Sequence, residues 1–292
     1  SPEIIKSIVG SIHKKIGLHC TYGEQNIKKL PFYTDVSGAV LYHHENADGT
    51  GTFGKRWDEI PLFARIIHLC DMVDVMGNSC DFSGESWIRA KEYVCRNRNI
   101  LFDSECADAF LEVFSEENFV SMSQDRFEDE LWKKIPRDKR DCDFETCKGI
   151  GDFFAGIVDY KSEFTGKHSL GVAKKAAELA EYMGYSQADI EKFYMAGALH
   201  DIGKMAIGNE ILEKPGRLTD EEFSRMKNHA GYTYMILSEV KDFDEVRDWA
   251  ALHHEKLDGT GYPFGKKAEE LNEPERLMAC VDIYQALTEA RP

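Results

Sequence analysis

Apolar residues recur every three to four positions through most of the second half of the chain, which is the spacing of an amphipathic helix. In the segment from His168 to Met183 this stripe is formed by Val172, Ala176, Leu179, Ala180 and Met183, and Gly184 then marks the helix end. Further helices are predicted from about Gln187 to His200, from Thr219, where T-D-E-E forms a capping box, from Asp244 to about His254, and from Pro274 to Thr288. No segment shows the strict alternation of a half-buried strand, so the predicted fold class is all-α.

A nine-residue pattern occurs twice in the chain. HHENADGTG at 43–51 matches HHEKLDGTG at 253–261 at a spacing of 210, and RIIHLCD at 65–71 matches RLMACVD at 276–282 at a spacing of 211. Two motifs that recur at spacings of 210 and 211 residues indicate a duplicated domain with one single-residue insertion or deletion. The charged stretch 133–143, which contains Pro136, predicts a linker, so we expect two tandem related helical domains at 1–145 and 146–292.

Composition narrows the classes of function. The 292 residues carry a formal net charge of −16, which repels polymeric nucleic acid and anionic membranes. A small anionic ligand would then need metal ions or local basic residues. No apolar run reaches the roughly 18–20 residues of a membrane span. The eight scattered cysteines and the lack of a signal-like start lead us to expect reduced thiols in the cytoplasm.

Histidines and carboxylates of the second half form the candidate chemistry. Five histidines follow residue 150, and they are accompanied by Asp201, directly after His200, and by Asp282 on the last predicted helix. A single histidine of this kind is more often an ordinary helix residue, and adjacent histidines alone carry little information. Together, five imidazoles and two carboxylates suffice for two metal ions that clamp a phosphate, with Asp201 as the natural bridging ligand.

Five segments resemble the HD-GYP family, a branch of the HD phosphohydrolases, over about residues 160–292. They are KHSLGVA at 167–173, HDIGK at 200–204, KPGRLTDEEFSRMKNHAGYTYMIL at 214–237, HHEKLDGTGYP at 253–263 and DIYQALTEARP at 282–292. The resemblance implies an HD-type helical bundle, cytoplasmic in its catalytic part, that hydrolyses cyclic di-GMP or, in some members, cyclic GMP-AMP. The family's metals are usually iron or manganese, which suit a nitrogen and oxygen ligand set without thiolate.

The resemblance also implies residue roles. The metal ligands would be His168, His200, Asp201, His229, His253, His254 and Asp282. Lys204 would contact the scissile phosphate, Gly261, Tyr262 and Pro263 would form the loop that names the family, and Arg291 would be a further phosphate contact. Some members hold a third metal through a glutamate four residues before the first histidine. That position is Phe164 here, so two ions are expected.

The expected reaction is attack on phosphorus by a water that two metals activate, which opens the ring to a linear dinucleotide, with Asp201 and Lys204 as catalytic residues. A catalytically weak cyclic dinucleotide sensor and another HD-type nucleotide phosphohydrolase are the alternatives, and the GYP loop argues against the second. The sequence leaves the choice between cyclic di-GMP and cyclic GMP-AMP open.

The first half contains the later part of the motif without a His-Asp pair. Upstream of His43 there are only His13 and His19, and Thr52-Phe53 stands where the second copy has Tyr-Pro. We therefore expect a degenerate, non-catalytic copy that serves packing, homodimer formation or regulation, with a single ion at His43 and His44 as an alternative. The first copy continues for about fifty residues after Asp71, so further helices are expected beyond residue 292, and chain before residue 1.

Overall fold

The structure is a computed structural model that describes residues 2–77, 83–121, 127–135, 142–161 and 168–289. Within these ranges all regular elements are helical and the only bridges are two isolated ones, which confirms the all-α prediction. The α-helices of the first half are α1 (Pro2–Ile27), α2 (Leu62–Gly77), α3 (Gly84–Arg96), α4 (Ser104–Val113), α5 (Glu116–Ser121) and α6 (Phe127–Lys134). Those of the second half are α7 (Phe144–Lys161), α8 (His168–Tyr182), α9 (Gln187–Leu199), α10 (Asn209–Leu212), α11 (Asp220–Ser238), α12 (Asp244–Ala251) and α13 (Glu273–Thr288).

The chain divides into two compact units, one of residues 1–28 and 32–141 and the other of residues 29–31 and 142–292. The first unit buries a core between α2, α3, α4 and α5 that includes Trp87, Val94 and Phe110. The second unit buries a larger core between α7, α8, α9, α12 and α13, with Phe193 and Met278 almost fully enclosed. Each such side chain contributes about 1.5–3 kcal/mol when it leaves water. Within the described ranges, no helix combines the length and apolar character needed to cross a membrane.

Helix ends follow the predicted signals in most places. Thr219 caps α11 and Glu222 returns the bond, as the capping box predicted. By contrast, α12 ends at Ala251, three residues before the predicted end, so His253 and His254 lie in a turn. The chain folds back because the Tyr262 N–H donates to the carbonyl of His254. The prediction that Met183 packs inward is also wrong, since it lies past the helix end and is exposed.

The predicted linker is partly helical. Lys133 and Lys134 form the last turn of α6, whereas residues 136–141 of the linker lie outside the described ranges. The following helix begins at Phe144, because the carboxylate of Asp143 accepts the N–H of Thr146 at 2.9 Å and caps the first turn.

The two units repeat the same local elements. Helices α2 and α13 have identical lengths at a spacing of 211 residues, and so do the 3₁₀ turns Trp57–Glu59 and Ala268–Glu270. The carbonyls of Ala47 and Leu257 accept equivalent backbone bonds, from the N–H of Trp57 and of Ala268. The repeated sequence is therefore a repeated structure.

Candidate metal centre

The seven predicted metal ligands of the second unit form one cluster, and five of them line a single cavity. Three overlapping groups each place their ligand atoms within 4.8 Å of one another: His168 with His200 and Asp282, His200 with Asp201 and His253, and His229 with His253 and His254. The cavity has a volume of about 160 Å³ and is lined by His168, Asp201, Lys204, His253, His254, Asp282, Ala286 and Glu289. The seven ligands come from helices α8, α11 and α13 and from the turns after α9 and α12.

Three of the histidines are oriented by a carbonyl three residues earlier. The Nδ1 atoms of His200, His229 and His253 lie 2.8, 2.7 and 2.6 Å from the carbonyl oxygens of Gly197, Met226 and Ala250. Each Nδ1 therefore carries the proton and donates, which leaves Nε2 with its lone pair facing the cavity. All three Nε2 atoms are buried without a hydrogen bond of regular geometry, although those of His200 and His229 lie 3.2 and 3.3 Å from oxygens of Asp201. Because unpaired buried polar atoms are costly, these lone pairs fit a metal ion.

Asp201 lies between two of these imidazoles. Its Oδ2 is 3.2 Å from Nε2 of His200, and its Oδ1 is 3.3 Å from Nε2 of His229. Burial opposes ionisation of this carboxyl, but Lys204 and His200 outweigh burial and hold its pKa well below the usual range. An ionised carboxylate whose two oxygens face different imidazoles has the geometry of a bridging ligand.

His168 is held by two carboxylates. Its Nε2 lies 3.2 Å from Oδ1 of Asp282, and its Nδ1 lies 2.9 Å from Oε2 of Glu289. Burial disfavours protonation of His168, yet the bonds to Asp282 and Glu289 raise its pKa overall. Sequence reasoning missed Glu289, because the two partners are 121 residues apart and no motif links them.

The pKa values of the imidazoles differ according to the charged groups around each ring. Burial lowers the pKa of His200, but Asp201 and Asp282 overcome this effect and raise it to about 9. Burial and the neighbouring His229 lower the pKa of His254 to about 4. Burial, His254 and His200 likewise hold the pKa of His253 well below its usual value. Without a metal, the acidic side of the cavity therefore attracts a proton that a metal cation would replace.

Lys204 lies in the 3₁₀ turn Ile202–Ala206, which follows the His-Asp pair. Its Nζ is 2.6 Å from Oδ2 of Asp201, so the lysine predicted to contact phosphate borders the cavity through this ion pair. Thr233 of α11 fixes the turn, because its hydroxyl donates to the His200 carbonyl at 2.9 Å and accepts the Gly203 N–H at 3.0 Å. No motif in the sequence indicates this role for Thr233.

The GYP loop contacts His254, one of the histidines that line the cavity. The ring of Tyr262 lies 4.7 Å from the ring of His254, and the Tyr262–Pro263 peptide bond is cis. The buried carboxylate of Glu255 accepts the backbone N–H groups of Phe264, Gly265 and Lys266 at 2.7–3.0 Å and so holds the loop, a third role that sequence reasoning missed.

The glycines of this loop serve the fold of the chain itself. A Cβ atom on Gly261 would lie 2.5 Å from Cα of Glu255, which is closer than real contacts allow. Gly259 has a φ of +77°, which favours glycine. At Gly261 the missing side chain therefore makes room for the protein's own backbone.

Two predicted positions lie outside the described residues. They are Arg291, expected to contact phosphate, and Phe164, on which the expectation of two ions rests. The seven cysteines in the described ranges are free thiols, and none of them lines the cavity.

Comparison with known proteins supplies the family. A family model described as HD domain matches residues 12–103 and 152–292. Two proteins of Vibrio cholerae serotype O1, named 3′3′-cGAMP-specific phosphodiesterases 1 and 3, are 32% and 31% identical over 94% and 99% of this chain. The chain spans 65% and 63% of their lengths. A cyclic di-GMP phosphodiesterase of Pseudomonas aeruginosa is 39% identical over 44% of this chain and 32% of its own length.

A solved structure supports the fold. The crystal structure of a Vibrio cholerae cyclic GMP-AMP phosphodiesterase, V-cGAP3, matches with a TM-score of 0.60 at 22% identity, over 96% of this chain and 74% of that one. The HD model matches residues of both units. The chain belongs to the HD domain family, in the HD-GYP branch that its motifs resemble.

Proposed function

We propose that the second unit hydrolyses a phosphodiester bond of a cyclic dinucleotide and releases the linear dinucleotide. One observation carries the proposal: five imidazoles and two carboxylates form one cluster at a cavity that Lys204 also lines. The relatives add support, because they are named as 3′3′-cGAMP-specific or cyclic di-GMP phosphodiesterases.

Two divalent transition-metal ions, iron or manganese, are the proposed cofactors. His168, His200 and Asp282 would hold one ion, and His229, His253 and His254 would hold the other, with Asp201 shared between them. The donors are imidazole nitrogens and carboxylate oxygens, which suit these metals. Bound in pairs, such ions polarise a phosphate and make water nucleophilic near neutral pH.

The chain's own residues orient these ligands and place a positive charge. The carbonyls of Gly197, Met226 and Ala250 fix three rings before any ion binds, so little reorganisation is needed. Lys204 lines the cavity, and its ammonium is proposed to pair with a non-bridging oxygen as negative charge grows during attack. In a protein of net charge −16, attraction for an anionic substrate depends on such local charge.

The size of the cavity limits what it encloses. At about 160 Å³ it is smaller than the roughly 300–1,000 Å³ of common ligand pockets. We place the reacting phosphate and the ions inside it and the nucleosides at its rim, near Tyr262 and the proposed contacts Gly261 and Pro263. Lys227, with Nζ 5.9 Å from the centre of the Tyr262 ring, adds a cation at this rim.

We propose 3′3′-cyclic GMP-AMP as the preferred substrate. The two relatives that match across both units carry that name, whereas the cyclic di-GMP phosphodiesterase of P. aeruginosa matches 44% of the chain. Turnover is assigned to the second unit, with residues 1–145 as a degenerate copy, and the cytoplasm is the compartment implied by the HD-GYP resemblance.

The test is hydrolysis by the purified full chain, loaded with Mn²⁺ or Fe²⁺, of each cyclic dinucleotide in separate assays, with products resolved by mass spectrometry. We expect the linear dinucleotide, faster turnover of cyclic GMP-AMP, and loss of turnover in Asp201→Asn. Glu178→Gln, an amide replacement on the exposed face of α8, is the matched control. Binding without turnover in the metal-loaded protein would reject the enzyme and favour a sensor.

A further inference from the structure

A second group of histidines lies in the first unit. His19 is near the end of α1, and His43 and His44 follow in the chain before α2. A ligand atom from each lies within 4.8 Å of the other two. His19 is exposed and the other two are half-buried, so an ion can reach the group from solvent.

The group repeats a ligand set of the second unit. His19 precedes His229 by 210 residues, and His43 and His44 precede their counterparts by the same spacing. In the first unit the three ring centroids are 5.3, 5.8 and 3.9 Å apart, and in the second unit the equivalent distances are 5.6, 5.1 and 4.0 Å. Sequence reasoning had compared only the later motif and had given His19 no role.

Orientation is repeated as well. Nδ1 of His43 lies 2.5 Å from the carbonyl oxygen of Val40, as Nδ1 of its counterpart lies 2.6 Å from that of Ala250. The bond keeps the proton on Nδ1 and leaves Nε2 as the atom that can bind a cation. Asp71 stands 211 residues before Asp282, so the carboxylate position of the second unit is repeated as well.

We propose that His19, His43 and His44 bind one divalent transition-metal ion in the first unit. Three imidazoles without a thiolate suit Zn²⁺, Co²⁺ or Ni²⁺ as well as Fe²⁺. Sγ of the nearby Cys20 lies 3.9 Å from Nδ1 of His43, the ring nitrogen that bonds the Val40 carbonyl, and so lies beside the nitrogen that is not proposed to bind the ion. In the described part of this unit, no carboxylate joins the group as Asp201 does in the second, so one ion is assigned.

Such an ion would also join distant parts of the unit. His19 and His43 are 24 residues apart in the chain, and an ion between them would tie the end of α1 to the segment before α2. Binding to the folded unit alone stabilises it by mass action. The site therefore predicts a metal-dependent stability of the first unit that does not require turnover.

The experiment counts metal on the full chain. Protein stripped with chelator is dialysed against Zn²⁺ or Co²⁺, and ions per chain are measured by elemental analysis for the parent, His19→Ala, His44→Asn and Leu18→Ala. Leu18 is the exposed neighbour of His19 and has no metal-binding atom, so its replacement is the control. We expect one ion fewer in both histidine variants and an unchanged count in the leucine variant.

A second measurement separates the two units. In Asp201→Ala, which disrupts the proposed bridged pair, the remaining ion is expected to disappear when His19→Ala is added. Thermal unfolding in chelator should be alike for the parent and His19→Ala, whereas metal should raise the unfolding temperature of the first unit in the parent only. Equal ion counts in the parent and both histidine variants overturn the proposal, whatever the second unit binds.

Discussion

Nζ of Lys204 lies 2.6 Å from Oδ2 of Asp201, so the cation proposed to meet phosphate is held by the carboxylate proposed to bridge the metals. We expect Lys204→Ala to keep its metal load, because an ammonium is not a ligand, and to lose roughly 10²–10³-fold in kcat, the usual cost of one oriented electrostatic contact. Turnover at saturating substrate in metal-replete protein is the measurement. Lys174→Ala, on the exposed face of α8, is the control, and a rate within threefold of the parent would remove Lys204 from the site.

Asp201 is predicted to control both ions of the second unit. Its two oxygens face His200 and His229, so Asp201→Ala removes a ligand from each ion at once. Elemental analysis should find two ions fewer than in the parent. His254→Ala, which alters one proposed set of ligands only, should lose one ion. If Asp201→Ala kept the parent's count, the bridging assignment would be wrong.

Glu289 is predicted to position His168. Its Oε2 lies 2.9 Å from Nδ1, and a carboxylate at that place orients the ring and strengthens Nε2 as a ligand. Glu289→Gln retains a hydrogen-bonding group without the charge, and we expect metal affinity to fall by roughly 10–100-fold. Competition with a chelator measures this, and the exposed Glu178→Gln is the matched control. Equal affinities in the two variants would show that Glu289 does not support the site.

Metal affinity should rise with pH up to about 9. The pKa of His200 is raised to about 9 in the metal-free site, because two carboxylates outweigh burial, so below that pH an ion must displace a proton. One displaced proton changes the apparent affinity by about tenfold per pH unit. Chelator competition at pH 7, 8 and 9 tests the slope, and a flat profile would contradict the assignment of the proton.

The same shift in the pKa of His200 makes the stability of the metal-free protein depend on pH. The folded pKa of His200 lies above its usual value, so this contribution is fully present below pH 6.5 and is lost as pH rises through about 9. Urea unfolding of chelated protein at pH 6.5 and pH 9.5 should show lower stability at the higher pH. His200→Gln should reduce that difference.

Gly261→Ala should disturb the loop through the chain's own packing. The added Cβ would meet Cα of Glu255 at 2.5 Å, and overpacking of this kind costs about 1–3 kcal/mol. We expect a lower unfolding temperature together with lower turnover. Gly231→Ala on α11 is the control, because its Cβ would meet Pro263 at an ordinary 3.9 Å and alanine favours the helix. Equal stability of the two variants would contradict the packing argument.

The sequence predicted the ligands of the second unit better than their surroundings. The motifs around His200 and His253 are continuous in sequence, so their chemistry could be inferred before the fold was known. Glu289 could not be inferred, since its contact with His168 depends on how α8 and α13 pack. Thr233 was missed for the same reason, because its bonds to His200 and Gly203 cross from one helix to another.

Two other differences have local causes. The predicted helix from Asp244 ran to about His254, whereas α12 ends at Ala251 and the backbone bond from Tyr262 to His254 turns the chain away. His19 was detectable, since its spacing of 210 residues from His229 equals the spacing of the repeated motif. Nothing around it in α1 resembles the HD-GYP motifs closely enough to invite that comparison.

The hydrogen bonds from Nδ1 to backbone carbonyls orient several of the imidazoles through their own local stretch of chain. His200, His253 and His43 each take their orienting acceptor from the residue three positions earlier, so four consecutive residues encode both a ligand and its direction. A gene duplication that copies such a segment transmits a ligand already aimed, without needing its former neighbours. A duplicated binuclear site can therefore lose its ligands one at a time, and the histidines that are left keep the orientation needed to bind a metal ion. In a tandem protein, such a reduced site could evolve into a metal sensor next to the catalytic unit.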